Sequence, residues 1–254
     1  MRLMKRILSA AAVLALSASL LVGCSSGTAS SVPVSASSAA ESTVSSVEET
    51  ASSAVDENEA AAAQLLNDLT GSYQELWPVI LADEYKQTWL DDCTALVGED
   101  NAEAAFEKLS SMVTGDVYGE DAVKAYANGG GAYFCGFTNS LAILTFDGET
   151  STISGTDKDG NVLFSHAYHY IGMEPVRGLY EFESDDADSG EFTYFFLAPD
   201  TSAETYHIEF RYGSDAEALS QYDTGEYAYW LASGISTDCD QTMIDNCIEL
   251  FCTE

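Results

Sequence analysis

The chain has 254 residues with 42 acidic and nine basic side chains, a formal net charge of −33. So negative a surface repels nucleic acid and anionic lipid headgroups, so neither is expected as a partner. With 46% hydrophobic and 11% aromatic residues there is material for one real core.

The first 23 residues read as an export signal. Arg2, Lys5 and Arg6 form a basic start, and an apolar run from Ile7 to Val22 follows. The run is short and broken by serines, so it suits a cleaved signal better than a membrane span, which needs about 20 apolar residues. It ends in Leu21-Val22-Gly23-Cys24. Small residues before a cysteine are what a lipoprotein signal peptidase accepts, so Cys24 is the expected lipidation site. A diacylated cysteine holds a protein stably to a bilayer, whereas one chain gives marginal binding. The expected location is the extracytoplasmic face of the cell membrane, lipid-anchored. Removing residues 1–23 leaves six basic residues against 42 acidic ones.

From Ser25 to about Asn58 the chain is mostly Ser, Ala, Val and Glu, without one aromatic side chain. Such a stretch buries too little apolar surface to offset chain entropy, and a disordered tether is expected. Every Trp and Tyr lies beyond Leu65. The expected organisation is a signal over 1–23, lipidated cysteine and tether over 24–64, and one folded domain over 65–254.

Within the domain the first part has helical spacing. Leu76, Ile80, Leu81, Tyr85 and Trp89 suggest one helix, with Pro78 in its first turn, where its missing N–H costs nothing. Ala102, Ala105, Phe106, Leu109, Met112 and Val113 mark a second, with Asn101 as its cap. A short third helix is expected over 119–126, ended by Gly129-Gly130-Gly131. Beyond Ala132 the period changes to two. Strands are expected over 132–137, 141–146, 162–171, 178–183, 191–197 and 205–212, joined by Gly-, Asp- and Asn-rich turns. Helices over 215–221 and 242–251, with Ser214 and Asp240 at the cap positions, close the chain. Successive strands with no helix between them imply an antiparallel meander or up-and-down barrel: a mainly β domain with flanking helices.

The chemistry-bearing residues are few. His166 and His169 alternate across one strand and cannot easily share a metal; each is expected to bond to strand neighbours. In Thr205-Tyr206-His207-Ile208-Glu209-Phe210-Arg211-Tyr212, His207 and Glu209 point the same way, about 7 Å apart at roughly 3.4 Å per residue. They can converge on one cation if a third group joins them, since zinc takes three or four N, S or O ligands in most sites. Otherwise Glu209 and Arg211 form a polar ladder with neighbouring strands. Asp157-Lys158-Asp159-Gly160-Asn161 and Asp185-Asp186-Ala187-Asp188 read as turns rather than calcium loops. Cys93, Cys135, Cys239, Cys247 and Cys252 allow disulfides outside the cytoplasm, with at least one thiol left over and the pairing open. No Gly-x-Ser-x-Gly, Walker loop or His-Glu-x-x-His motif occurs. The domain is not expected to be an enzyme.

Several of these stretches together resemble the ZinT (YodA) family of extracytoplasmic zinc-binding proteins. Leu69-Thr70-Gly71-Ser72-Tyr73-Gln74-Glu75-Leu76-Trp77-Pro78 is similar to that family's Gly, aromatic, Gln, aromatic-Pro opening. Ser165 to Gly172 looks like its central strand, and Gly178-Leu179-Tyr180-Glu181-Phe182-Glu183 like the next. Thr205-Tyr206-His207 falls where the family has His-aromatic-His. The resemblance implies a lipocalin- or calycin-like antiparallel β-barrel that binds zinc or a related divalent cation for recruitment and uptake, with a zinc-uptake transporter as partner. It implies a metal site at His207, the one ligand position that carries over; the residues of this chain that could stand in for the missing histidines are Glu209, Asp200 or Glu204. Thr205 replaces one family histidine, and the shortened loop Ala198-Pro199-Asp200-Thr201 has none, so the site is a reduced one. The other reading is a metal-free lipocalin-like binding module for a small ligand or a protein partner.

Overall fold

Eight antiparallel strands close into an up-and-down barrel in which each strand pairs with its sequence neighbours and the last pairs with the first. The structure is a computed structural model and describes residues 57–199 and 207–253. The expected signal, Cys24 and residues 25–56 of the expected tether lie outside the described residues. So do residues 200–206, with Asp200, Glu204, Thr205 and Tyr206.

The strands are β1 (Gly71–Glu75), β2 (Ile143–Asp147), β3 (Thr152–Thr156), β4 (Val162–Met173), β5 (Tyr180–Ser184), β6 (Tyr194–Leu197), β7 (His207–Gly213) and β8 (Ala232–Ser236). The lipocalin-like barrel expected from the sequence is therefore present. Helix α1, over residues 57–68, precedes β1. Between β1 and β2 come α2 (Leu76–Ile80), a 3-10 turn (Asp83–Tyr85), α3 (Lys86–Val97), α4 (Glu99–Val113) and α5 (Glu120–Ala125). A short α6 (Ala216–Leu219) links β7 to β8, and α7 (Gln241–Thr253) follows the barrel.

Two apolar layers hold this together. Inside the barrel, Leu144, Phe146, Ile153, Phe182, Phe195, Phe210, Tyr212 and Trp230 are at most 1% exposed. Each such side chain contributes about 1.5–3 kcal/mol on burial. Outside, Leu76, Trp77 and Ile80 of α2, Trp89 and Cys93 of α3, and Ile244, Cys247, Ile248 and Cys252 of α7 pack over Ile235 of β8.

The elements differ from the sequence expectation in instructive places. Three strands have no counterpart in it. β1 buries only Tyr73 fully and β3, Thr-Ile-Ser-Gly-Thr, has one large apolar residue, so neither shows a clean alternation. β8 is the opposite case, covered on both faces. Its small residues let neighbours approach, and a Cβ on Gly234 would stand 3.1 Å from Ile208.

Residues 132–137 form no strand. Phe134 makes single bridges to Thr114 and Trp230 instead, and the segment crosses beside 229–233 through Phe134 N–H to Tyr229 O (2.8 Å) and Ser233 N–H to Cys135 O (3.0 Å). The helix expected across Leu76–Trp89 breaks after Ile80, whose carbonyl accepts the Trp89 indole N–H at 2.7 Å. α4 begins at Glu99, two residues before Asn101, because Gly98 at φ 83° reverses the chain directly out of α3. The cap of α6 is Asp215, accepting Ala218 N–H at 3.0 Å, and not Ser214. Asp240 does cap α7, accepting Met243 N–H at 3.0 Å.

The domain begins earlier than the composition boundary at Leu65. α1 places Ala62, Leu65 and Leu66 in the core, and its Asn67 backbone lies so close to Gly148 that a Cβ there would come within 2.4 Å. No helix among the described residues is long and apolar enough to cross a membrane.

Candidate functional site

β7 sorts its side chains as strand alternation requires. Ile208, Phe210 and Tyr212 enter the barrel core, so His207, Glu209 and Arg211 share the outer face. His207 opens the strand opposite Ile235 of β8, and Glu209 stands opposite Ser233. The expected shared orientation of His207 and Glu209 is thus what the barrel imposes.

The imidazole is not an open surface group. His207 is only 8% exposed, and the Phe251 ring of α7 crosses it edge-on with centroids 5.5 Å apart. Phe251 in turn lies 4.7 Å from the Trp77 ring of α2. Glu209 is half-buried nearby, close enough to Cys135 for its charge to act on the thiol. Burial, reinforced by the Glu209 carboxylate, pushes Cys135 up to about 12. That thiol keeps its proton at neutral pH when no metal is bound, which makes it a poor nucleophile.

Two donors do not make a zinc site. Among the described residues, no three His, Cys, Asp or Glu side chains converge to hold a metal. The described residues by themselves fall short of the ligand set that zinc needs, and the stretch bearing Asp200 and Glu204 lies outside them.

Arg211, the third residue of the outer face, does something the sequence reading missed. It does not pair across the sheet but reaches the end of α6 and the loop after it. Its guanidinium donates to the carbonyls of Leu219, Gln221 and Tyr227 and is fully buried. The Tyr222 ring lies 4.3 Å from the Arg211 guanidinium carbon and 4.3 Å from that of Arg177, which also donates to Tyr133 Oη at 3.2 Å. The only two arginines beyond residue 23 thus meet at one tyrosine. The usable signal was their scarcity: a lone arginine in an aromatic strand must be hydrogen-bonded if it is buried.

The remaining candidates have local partners. His166 faces the barrel side of β4 with Phe164 and Tyr168, and its Nδ1–H donates to Asp186 at 2.7 Å. His169, on the exposed face, donates to Asp185 at 2.7 Å. The cluster at 185–188 therefore engages both histidines from the end of β5. Asp157 closes the β3–β4 turn, accepting Asp159 N–H and Asn161 N–H at 2.9 Å each and the Asn161 side chain at 2.8 Å. The Asn161 side chain and the turn amides hold its carboxyl below the ordinary range.

No protein-family model and no curated protein matches the chain. Solved structures do resemble it. The Zn(II)-bound ZinT-like domain of Streptococcus pneumoniae AdcA is similar over 72% of this chain and 89% of that one, at 16% identity and a TM-score of 0.45. Zn(II)-bound AdcA from the same organism is similar over 73% of this chain and 35% of its own length, at 18% identity and a TM-score of 0.41.

Proposed function

We propose that the domain binds zinc or a related divalent cation outside the cytoplasm, for recruitment toward an uptake transporter. The chain is held there by lipid on Cys24. The observation that carries this reading is the placing of His207 and Glu209 on one face of β7, directly after the segment that bears Asp200 and Glu204. A neutral imidazole is the strongest zinc ligand type in this set, and carboxylates can complete the shell. A single histidine gives weaker binding than several would. The strong negative charge of the chain raises the local cation concentration without selecting among cations.

Calorimetric zinc titration of a soluble fragment starting at Ser25 tests the site. Wild type is expected to bind specifically, and His207→Ala at least tenfold more weakly, about 1.4 kcal/mol. Protons compete with metal for an imidazole whose ordinary pKa is about 6.5, so binding should weaken between pH 7.5 and 5.5. Equal, pH-insensitive binding by both proteins, each checked for fold by near-UV circular dichroism, would place the site elsewhere.

The second reading is a metal-free binding module, favoured by the lack of a third ligand among the described residues. The barrel interior is filled by aromatic side chains, so this reading points to a protein partner rather than a small ligand inside the barrel. Absence of specific zinc binding in the wild type selects it.

The anchor has its own test. Cys24→Ala should abolish incorporation of a labelled fatty acid into the chain in the producing cell. Undiminished label on the variant removes the lipoprotein reading.

A further inference from the structure

We propose that Cys93 and Cys252 form a disulfide in the exported protein, fastening the last turn of α7 to α3. Cys93 sits in the middle of α3 and Cys252 near the end of α7, 159 residues apart in sequence. The two sulfurs are 3.7 Å apart, and the residues are 0% and 2% exposed. A disulfide needs about 2.05 Å, so the sulfurs must close by less than 2 Å. Both residues lie in the one apolar layer formed by α3 and α7, so the closure is between packed neighbours. No other pair of cysteine sulfurs is in contact among the described residues, although Cys239 lies near enough to Cys247 to add to the rise that burial gives its thiol. Cys135 approaches Tyr133 O, Cys239 is half-buried after β8, and Cys247 lies on the same helix as Cys252.

The chemistry requires an oxidant of the disulfide class, such as an oxidoreductase's active disulfide or oxidised glutathione. One cysteine thiolate attacks that disulfide, forming a mixed disulfide and expelling one thiolate. The second cysteine attacks the mixed disulfide at the protein sulfur, the Cys93–Cys252 bond forms, and the oxidant's second thiolate leaves. Two protein thiols lose two electrons and two protons, and one oxidant disulfide becomes two thiols.

Burial sets the timing. It pushes the Cys252 thiol up to about 12, with the neighbouring Cys93 adding to the rise. Both groups are sealed from solvent once α7 is docked, so the bond forms while the chain folds and is shielded from reductant afterwards. Its position matters for the site above, because Phe251, next to Cys252, lies on His207. Fixing the end of α7 fixes that cover.

The inference rests on the export reading, and the test separates the two. The reduced, unfolded chain from Ser25 is refolded with a mixture of oxidised and reduced glutathione, denatured in alkylating agent without reductant, and mapped by mass spectrometry. The Cys93 and Cys252 peptides should appear linked, with Cys135, Cys239 and Cys247 alkylated. Reduction should lower Tm by about 10 °C, a drop absent in the Cys93→Ala/Cys252→Ala variant. Alkylation of Cys93 and Cys252 in the refolded protein, or linkage of either to another cysteine, overturns the pairing. Full-length chain made in a secreting bacterium is mapped in the same way. Free thiols in chain that carries fatty-acid label overturn formation in the cell. Refolded protein that links, beside cell-made chain that takes no label, faults export and leaves the pairing standing.

Discussion

Replacing Arg211 with alanine is expected to destabilise the domain by about 3–5 kcal/mol, among the largest effects of any single substitution. The guanidinium is fully buried and donates to three backbone carbonyls, of Leu219, Gln221 and Tyr227. Those carbonyls belong to the end of α6 and the loop that follows it before β8. Alanine leaves them facing a space that the guanidinium filled, and also removes the cation from the Tyr222 ring. An unsatisfied buried polar group costs about 1–3 kcal/mol, and bonds to a charged donor are the stronger kind. The costs overlap, since one local rearrangement or one entering water relieves several. Arg211→Lys should recover only part of the loss, because an ammonium cannot present the planar fork that spans three carbonyls. Urea unfolding followed by far-UV circular dichroism reads both variants. A loss under about 1 kcal/mol for the alanine variant would mean that the loop refolds around the gap.

This arginine marks the boundary of what the sequence discloses. Alternation along β7 correctly puts His207, Glu209 and Arg211 on one face. It cannot say that the face looks onto α7 and the α6–β8 loop, because that depends on contacts between elements distant in the chain. The long strand β4 and the helices α4 and α7 are legible because each has one wet and one dry side. β8 is not, since it is covered on both faces and made of small residues. β1 and β3 are hidden for the reverse reason, each offering a single large buried side chain. Residues 132–137 look like a strand because Tyr133, Phe134 and Cys135 are β-type residues; Gly136 and the run Gly129-Gly130-Gly131 were the signal that the chain crosses rather than pairs. Its position in the strand singles out His207, but its burial under Phe251 comes from α7.

Trp230→Ala is the second variant expected to cost about 3–5 kcal/mol, and it should do so without moving the proposed cation site. Trp230 is fully buried where the crossing segment meets the barrel. Its ring packs at 5.0 Å on Tyr212 and 5.9 Å on both Tyr118 and Tyr227, and its indole N–H donates to Gly136 O at 2.9 Å. Alanine opens a cavity the size of an indole and leaves the Gly136 carbonyl without that donor. Trp230→Phe keeps most of the ring and loses the N–H, so about 1–2 kcal/mol is expected for it. Tyr212 reads the same region independently: its hydroxyl accepts Thr138 N–H at 2.6 Å and donates to Thr138 O at 2.8 Å, tying the crossing segment to β7. Trp230 belongs to the layer inside the barrel, whereas Phe251, which covers His207, packs with the layer outside it. The conservative Trp230→Phe variant should therefore unfold at lower urea concentration yet bind zinc within twofold of wild type. A tenfold loss of zinc affinity in a folded Trp230→Phe protein would show that the two layers are coupled through β7, and that His207 answers to the packing inside the barrel as well as to the helix above it.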